Sequence, residues 1–292
     1  MNLLARRWIW RAGRKLYMLA RKEGPNEMST NGELRLQRLV IHSIPSGSKI
    51  IAFDVGARIG DWSKAFVDGA EGRPGGFQLH AFEPVPDSRN KLQETFAEQV
   101  GSGEVRINGC ALSNESTKDL IYVPTFMGGT STLHPDSTVN YEQMLEVETT
   151  TIDRYCIENS IDHIDLIKID TEGNDLRVMQ GATELLRDGK VGLVQFEYNH
   201  RWIYSRSYLK DVFDFIRNTP YFVAKVCASA LEVYVEWHPE LERFFETNYA
   251  LVHSRLMASL ECDVFRIGFG NACERVGEIR GAVSTAHSIR SA

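Results

Sequence analysis

Four acids stand at the ends of four apolar runs: Asp54 after IIAF, Glu83 after FQLHAF, Asp170 after IDLIKI and Glu197 after VGLVQF. A carboxylate at a strand tip can accept from a hydroxyl, pair with an amine or hold a hydrated cation. Four of them on one sheet edge crowd negative charge into one cleft. That arrangement costs stability unless a cationic ligand, a metal or hydrogen-bond donors compensate. The first acid also begins a glycine loop, D-x-G-x-x-x-G, made of Asp54, Gly56 and Gly60. Its glycines let backbone approach a ligand closely, and the helix start behind them offers free N–H groups and a partial positive charge. The loop therefore suits a ligand with one anionic and one cationic end. It is not the G-x-G-x-x-G of dinucleotide sites.

These residues need a scaffold that brings strand tips together. The pattern predicts strands at 49–54, 77–82, 104–109, 119–123, 146–151, 164–170, 191–196, 221–226, 232–236 and 249–253. Between them it predicts helices at 32–43, 61–70, 87–99, 152–159, 175–186 and 208–217. Strands alternating with helices mean a parallel sheet covered on both faces, with ligands outside the strand C-termini where the strand order reverses. One long irregular stretch, 124–143, has the length of a functional lid. Asp170 and Glu172 are two apart, so continued strand alternation would put them on one face.

The chain has 292 residues and a net charge of −6, which does not suggest a nucleic-acid partner. Its charge is uneven. Residues 1–22 contain seven Lys and Arg and no acid, leaving −13 for the rest. Leucines, tryptophans and an isoleucine are interleaved with those cations, the composition of a basic amphipathic helix lying on an anionic membrane surface or packing on the domain. No apolar run is long enough to span a bilayer. Five scattered cysteines without a C-x-x-C pair point to a reducing compartment, and the expected location is cytoplasmic with peripheral membrane contact. The chain divides into a basic helix and linker (1–31), a central domain (32–255) and a partly disordered C-terminal extension (256–292).

FDVGARIGDWS (53–63), AFEPVP (81–86), CALSN (110–114), GGTSTL (128–133), TTIDRY (150–155), IDLIKIDTEGNDLRVMQGA (164–182) and VQFEYN (194–199) together resemble the FkbM-type S-adenosylmethionine-dependent methyltransferases. The resemblance covers about 48–200 and, more loosely, on to 253. It implies a Rossmann-like, doubly wound, mostly parallel seven-stranded α/β sheet with helices on both faces. It also implies S-adenosylmethionine as cofactor. Asp54, Gly56 and Gly60 would hold the methionine end, Glu83 the ribose hydroxyls, and Asn108, Cys110 and Ala111 the adenine. Asp170 would lie near the amino group and the transferred methyl. One position departs from the family pattern: Arg58 stands where the loop normally has Asn, and its charge could pair with the methionine carboxylate.

Methyl transfer from a sulfonium is an in-line displacement for which the protein supplies alignment and, for an alcohol acceptor, a proton acceptor. Asp170, Glu172, Glu197 and His200 are the candidates for that work, with His134 less favoured and His80 read as structural. The three acids are also of a type to ligate a divalent cation, although no metal is predicted. Thr130, Ser131 and Thr132 are candidates to line an acceptor pocket, and Tyr198, Trp202, Tyr204 and Tyr208 to stack on a sugar. The expected activity is O-methylation of a hydroxyl on a carbohydrate or glycan-like acceptor. The alternatives are a nicotinamide-dependent oxidoreductase and a non-catalytic cofactor-binding scaffold recruited to membranes.

Overall fold

The computed structural model of the chain describes residues 1–124 and 129–279. Helices α1 (Leu3–Ala20) and α2 (Glu33–Ser43) precede strand β1 (Ile50–Val55), followed by α3 (Asp61–Ala70), β2 (Phe77–Phe82), α4 (Pro86–Thr95), α5 (Ala97–Ser102) and β3 (Val105–Asn108). Three strands, β4 (Ala111–Leu112), β5 (Lys118–Val123) and β6 (Gln143–Thr150), form a small separate sheet in the order β4-β6-β5. The chain continues with α6 (Ile152–Glu158), β7 (Ile164–Ile169), α7 (Asp175–Gln180), α8 (Thr183–Arg187), β8 (Val191–Tyr198), α9 (Leu209–Phe215), β9 (Tyr221–Val226), β10 (Leu231–Tyr234), β11 (Thr247–His253), β12 (Cys262–Ile267) and β13 (Cys273–Ile279).

The main sheet runs β13-β12-β10-β9-β11-β8-β7-β1-β2-β3. Strands β3, β2, β1, β7 and β8 are parallel neighbours, and β11 is antiparallel to both β8 and β9. This is the doubly wound α/β fold. The seven-strand expectation needs correction: among the described residues the sheet has ten strands. β10 folds back against β9, and β12 and β13 continue the same edge. The sheet therefore extends past residue 255, so the expected boundary does not mark its edge. The expected disorder at the extreme C-terminus concerns residues outside those described.

Strand alternation sorts the core into two layers. Ile50 and Ala52 of β1, Leu79 of β2, Leu166 of β7 and Leu193 of β8 pack with Leu36 and Val40 of α2 and Phe66 of α3. The opposite parity, including Phe53, Ile167, Ile169, Val194 and Phe196, packs with α6 to α9. Full burial of one such Leu or Phe is worth about 1.5–3 kcal/mol, so both helical layers hold the strands firmly in register. The parity also fixes the polar residues at the strand ends. Asp54 and Lys168 share the α2/α3 face, as do Gln195, Glu197 and Asn248 of β11.

Two expected helices divide. The 175–186 helix breaks at Gly181, where an added Cβ would come within 2.2 Å of the Ser113 carbonyl oxygen, so backbone packs on backbone. The 87–99 helix breaks at Phe96, whose ring is buried in the core between α4 and α5.

Candidate active site

The sheet's order reverses at β1, which pairs with β2 on one side and β7 on the other. Outside the C-terminal ends of β1, β2, β7 and β8 lies a cavity of about 280 Å³, close to the lower bound for small-molecule sites. Its wall carries seven carboxylates, those of Glu33, Asp54, Asp61, Glu83, Asp170, Glu172 and Glu197, against two cations, Arg58 and Lys168. That imbalance favours a ligand carrying positive charge.

The glycine loop is held by backbone. The N–H groups of Gly56 and Ala57 both donate to the Phe82 carbonyl at 3.0 Å. Gly56 has φ +84°, and a Cβ there would lie 2.0 Å from the Asp170 carbonyl oxygen, so β1 and β7 approach too closely for any side chain. Arg58 also has positive φ, +50°. Asn tolerates this left-handed region better than Arg does, which gives a physical reason for an Asn at this position of the loop. The Arg58 guanidinium lies beside Gly129, whose added Cβ would be 3.3 Å from Nη2.

Glu83 fastens the loop to β2. Its Oε2 accepts from the Arg58 N–H and its Oε1 from the Val85 N–H, each at 2.8 Å. Burial pushes its carboxyl up to about 7, although these two N–H groups pull the other way. Asp54 accepts from the Ser63 hydroxyl at 2.6 Å. Burial raises it to about 6, opposed by that bond and by Lys168.

Lys168 is the buried centre of the acidic group. Its Nζ lies 3.0 Å from Asp170 Oδ2 and 3.9 Å from Glu33 Oε2. Its pKa is raised because Asp170, Glu33 and Glu197 outweigh the opposing effect of burial, so it stays charged. Glu33 accepts in turn from Gln195 (2.6 Å), Asn248 (3.1 Å) and Asn31 (2.6 Å). Glu197 accepts from Asn26 (3.3 Å) and Asn199 (3.1 Å), and burial followed by the nearby Asp170 raises its proton affinity.

Glu172 does not continue the strand alternation. Its φ of +54° turns it out of strand geometry, and its carboxylate pairs with Arg201 at 2.9 Å. Burial and Asp170 raise its pKa above the ordinary carboxylate range. Thr132 Oγ1 donates to the Glu172 carbonyl at 2.8 Å, and a two-way backbone bridge between Thr132 and Tyr122 returns the long loop to the cavity wall. Residue 128 of the GGTSTL segment lies outside the described residues. Just behind this wall, Asp175 is buried and pushed up to about 7 by burial and by Asp170.

Of the residues singled out from sequence, Asp54, Gly56, Arg58 and Glu83 line this cavity, as do Ala111, Asp170, Glu172 and Glu197. Four others are off its wall. Gly60 caps α3 with φ +92° and faces Leu92 and Phe96. Asn108 braces β3, donating to the Ala81 carbonyl and accepting from the Tyr155 hydroxyl. Cys110 packs against the core. His200 is exposed because Asn199 starts a 3-10 turn that carries it away. His134 bonds Asn174 at 3.0 Å, and buried His80 bonds Tyr155 at 2.8 Å. Tyr198 and Trp202 are core residues in edge-to-face contact rather than sugar platforms. Asp170, Glu172 and Glu197 are each engaged by Lys168, Arg201 or asparagines, and no group of metal-binding side chains occurs among the described residues.

Sequence reasoning passed over Lys168, Glu33, Asn26 and Asn248. Lys168 had a signal: it is a charge inside the apolar run IDLIKI, on the face opposite Ile167 and Ile169. Asn26 and Glu33 come from the segment before β1 and Asn248 from β11, and they meet Lys168 and Glu197 only in the fold.

The profile of the FkbM methyltransferase domain matches residues 54–223. The chain belongs to the FkbM methyltransferase family. The match begins at Asp54 and spans Glu83, Lys168, Asp170, Glu172 and Glu197, so most of the acidic wall is family sequence. Membership sets aside the nicotinamide-dependent alternative.

Solved structures similar to this FkbM chain include the FkbM methyltransferase of Methylobacillus flagellatus, at 17% identity and TM-score 0.45, with 71% of this chain and 44% of that one covered. The N-terminal domain of human METTL16 is 11% identical with TM-score 0.41, covering 75% and 67%. A precorrin-6y C5,15-methyltransferase from Geobacter metallireducens is 10% identical with TM-score 0.36, covering 74% and 87%. The chain thus spans less than half of the Methylobacillus structure. No curated protein matches it.

Proposed function

We propose that this chain is an S-adenosylmethionine-dependent O-methyltransferase whose acceptor is a hydroxyl of a carbohydrate or glycan-like molecule. The observation that carries the cofactor reading is the acid-rich cavity at the reversal of the sheet, entered by a glycine loop and fastened by Glu83. Bound S-adenosylmethionine would supply an activated methyl group. Its ammonium and sulfonium suit a wall of seven carboxylates and two cations. Its carboxylate suits the exposed Arg58, and the buried indole N–H of Trp62 on the same wall has no partner of its own among the described residues. The second lone pairs of the Glu83 oxygens suit a ribose diol. The tight approach of Gly56 to Asp170 keeps the tips of β1 and β7 together at the cavity wall.

Toward the acceptor, Asp170 orients and screens charge. Glu172 and Glu197 are the groups to take the hydroxyl proton, because raised proton affinity makes a stronger general base once ionised. Ser131 on the returning loop lines the cavity as a hydroxyl for a sugar, while the Thr132 hydroxyl holds the loop to Glu172. The sugar preference rests on family resemblance. A cytoplasmic location, with membrane contact through residues 1–22, belongs to the same reading.

The test is incubation with methyl-labelled S-adenosylmethionine and a panel of glycans and glycolipids. Label in an alkali-stable ether on one of them is expected, and Glu172→Gln should reduce it at least tenfold. Cofactor binding with no transfer to any hydroxyl acceptor would favour the non-catalytic scaffold.

A further inference from the structure

Helix α1 makes few contacts with the rest of the protein. Tyr17 packs on Phe245 and bonds Glu240, and Arg14 lies 4.9 Å over the Phe245 ring. At 100° per residue, Trp10 and Leu3 lie on the same side as Tyr17 and Arg14 but are 63% and 67% exposed, so the docking is confined to the C-terminal half of the helix. The opposite arc contains Ala5, Trp8, Ile9, Ala12, Leu16 and Leu19. Its four large side chains, Trp8, Ile9, Leu16 and Leu19, are 61–74% exposed, so among the described residues nothing covers this apolar stripe. Arg6 borders one edge of the stripe and Lys15 and Arg11 the other, and the helix contains no acid.

We propose that α1 is an interfacial helix that seats the protein on an anionic lipid surface, its apolar arc in the acyl boundary and its cations on the headgroups. A stripe of Trp, Ile and Leu flanked only by cations has the chemistry of that boundary. A second copy is a poorer occupant. Two α1 helices meeting on this stripe would bring Arg6, Arg11 and Lys15 of each together, with no acid in the helix to offset them.

The placement bears on the cavity. The segment after α1 is tied to the body where Lys225 donates to the Arg21 carbonyl and pairs with Glu23, and where Thr247 bonds Glu23. Six residues beyond Ala20, Asn26 reaches the cavity wall and bonds Glu197 and Asn248. Six extended residues span at most about 20 Å, so a docked α1 holds the cavity within that distance of the lipid surface. That consequence rests on the methyl-transfer reading only for what is held there; the docking itself does not.

The experiment is flotation of the full chain with phosphatidylcholine vesicles, with and without phosphatidylglycerol, beside the double variant Ile9→Asp/Leu16→Asp. Both positions are exposed, so the fold is preserved, and titration with S-adenosylhomocysteine checks the cavity separately. The expected result is binding only to phosphatidylglycerol vesicles, weakened by salt and reduced roughly tenfold or more in the variant. Equal binding to both vesicle types, no binding to either, or an unchanged variant overturns the proposal. So does a concentration-dependent dimer that the variant abolishes while no flotation occurs. Loss of the cofactor titration with vesicle binding intact would instead count against the methyltransferase reading alone.

Discussion

Glu83→Gln isolates the contribution of one carboxylate to ligand binding. In the parent both oxygens accept a backbone N–H, from Arg58 and from Val85. Glutamine keeps one acceptor and turns an NH2 toward the other N–H. Losing one charge-assisted bond in a buried position is worth about 1.5–3 kcal/mol, which corresponds to about 10- to 150-fold if it falls on ligand affinity. The better-buried Val85 N–H should keep the remaining oxygen, so the loss falls on Arg58 and the glycine loop. S-adenosylhomocysteine, titrated calorimetrically, is expected to bind at least tenfold more weakly to the variant. A second signature separates binding from general damage. With its carboxyl at about 7, Glu83 is mostly protonated at pH 6 and mostly ionised at pH 8. A ligand that needs the ionised form should bind the parent about tenfold tighter at pH 8 than at pH 6. In the Gln variant this dependence should shrink. Affinity within twofold of the parent, with the pH dependence intact, would refute the assignment of Glu83 to the ligand.

Gly56→Ala puts a methyl 2.0 Å from a backbone oxygen at a φ that only Gly accepts freely. It should cost more than about 2 kcal/mol in urea unfolding and abolish cofactor binding. Arg58→Asn relieves a left-handed Arg and removes an exposed cation. Thermal stability is expected to hold or rise, while S-adenosylhomocysteine affinity falls by up to about fivefold; unchanged or tighter binding would exclude the carboxylate clamp. Asp54, Glu83 and Asp175 all have folded pKa values raised by burial, to about 6, 7 and 7. The stability they contribute is fully present below their unfolded pKa values near 4 and is lost as pH rises through 6–7. Urea unfolding should therefore show falling stability between pH 4 and 8, with a shallower fall in Asp175→Asn.

The scaffold was readable because its signals are local. Apolar runs marked β1, β2, β7 and β8, and an acid stopped each of them, so a doubly wound sheet with acids on one edge followed from spacing and parity. The extra strands were harder. β12 and β13 carry charged and small residues, among them Asp263, Arg266, Arg275 and Gly277, and strands that extend an edge need less apolar alternation than those in the middle. Position within the turns was harder still. His200 is a candidate from its place just past a strand tip, but the 3-10 turn capped by Asn199 takes it outward. Tyr198 and Trp202 are candidates for stacking by type and position, but Tyr198 is on the β8 parity that packs under α6 to α9, and Trp202 of the 3-10 turn packs edge-on against it. Glu33, Asn26 and Asn248 had no local signal, since what places them beside Lys168 is the packing of α2 and β11 on one face of the sheet. Arg58 shows the opposite case. Its identity was visible as a departure from the family loop, while its left-handed backbone, which gives the departure a physical meaning, was not.

On the proposed function, the cavity at the reversal of the sheet binds S-adenosylmethionine through Glu83 and the glycine loop. Calorimetric titration of the full chain with S-adenosylhomocysteine, and separately with NADH, decides it. The expected result is saturable binding of S-adenosylhomocysteine, weakened in Glu83→Gln, with no heat from NADH. Binding of NADH and none of S-adenosylhomocysteine by the folded protein would contradict it.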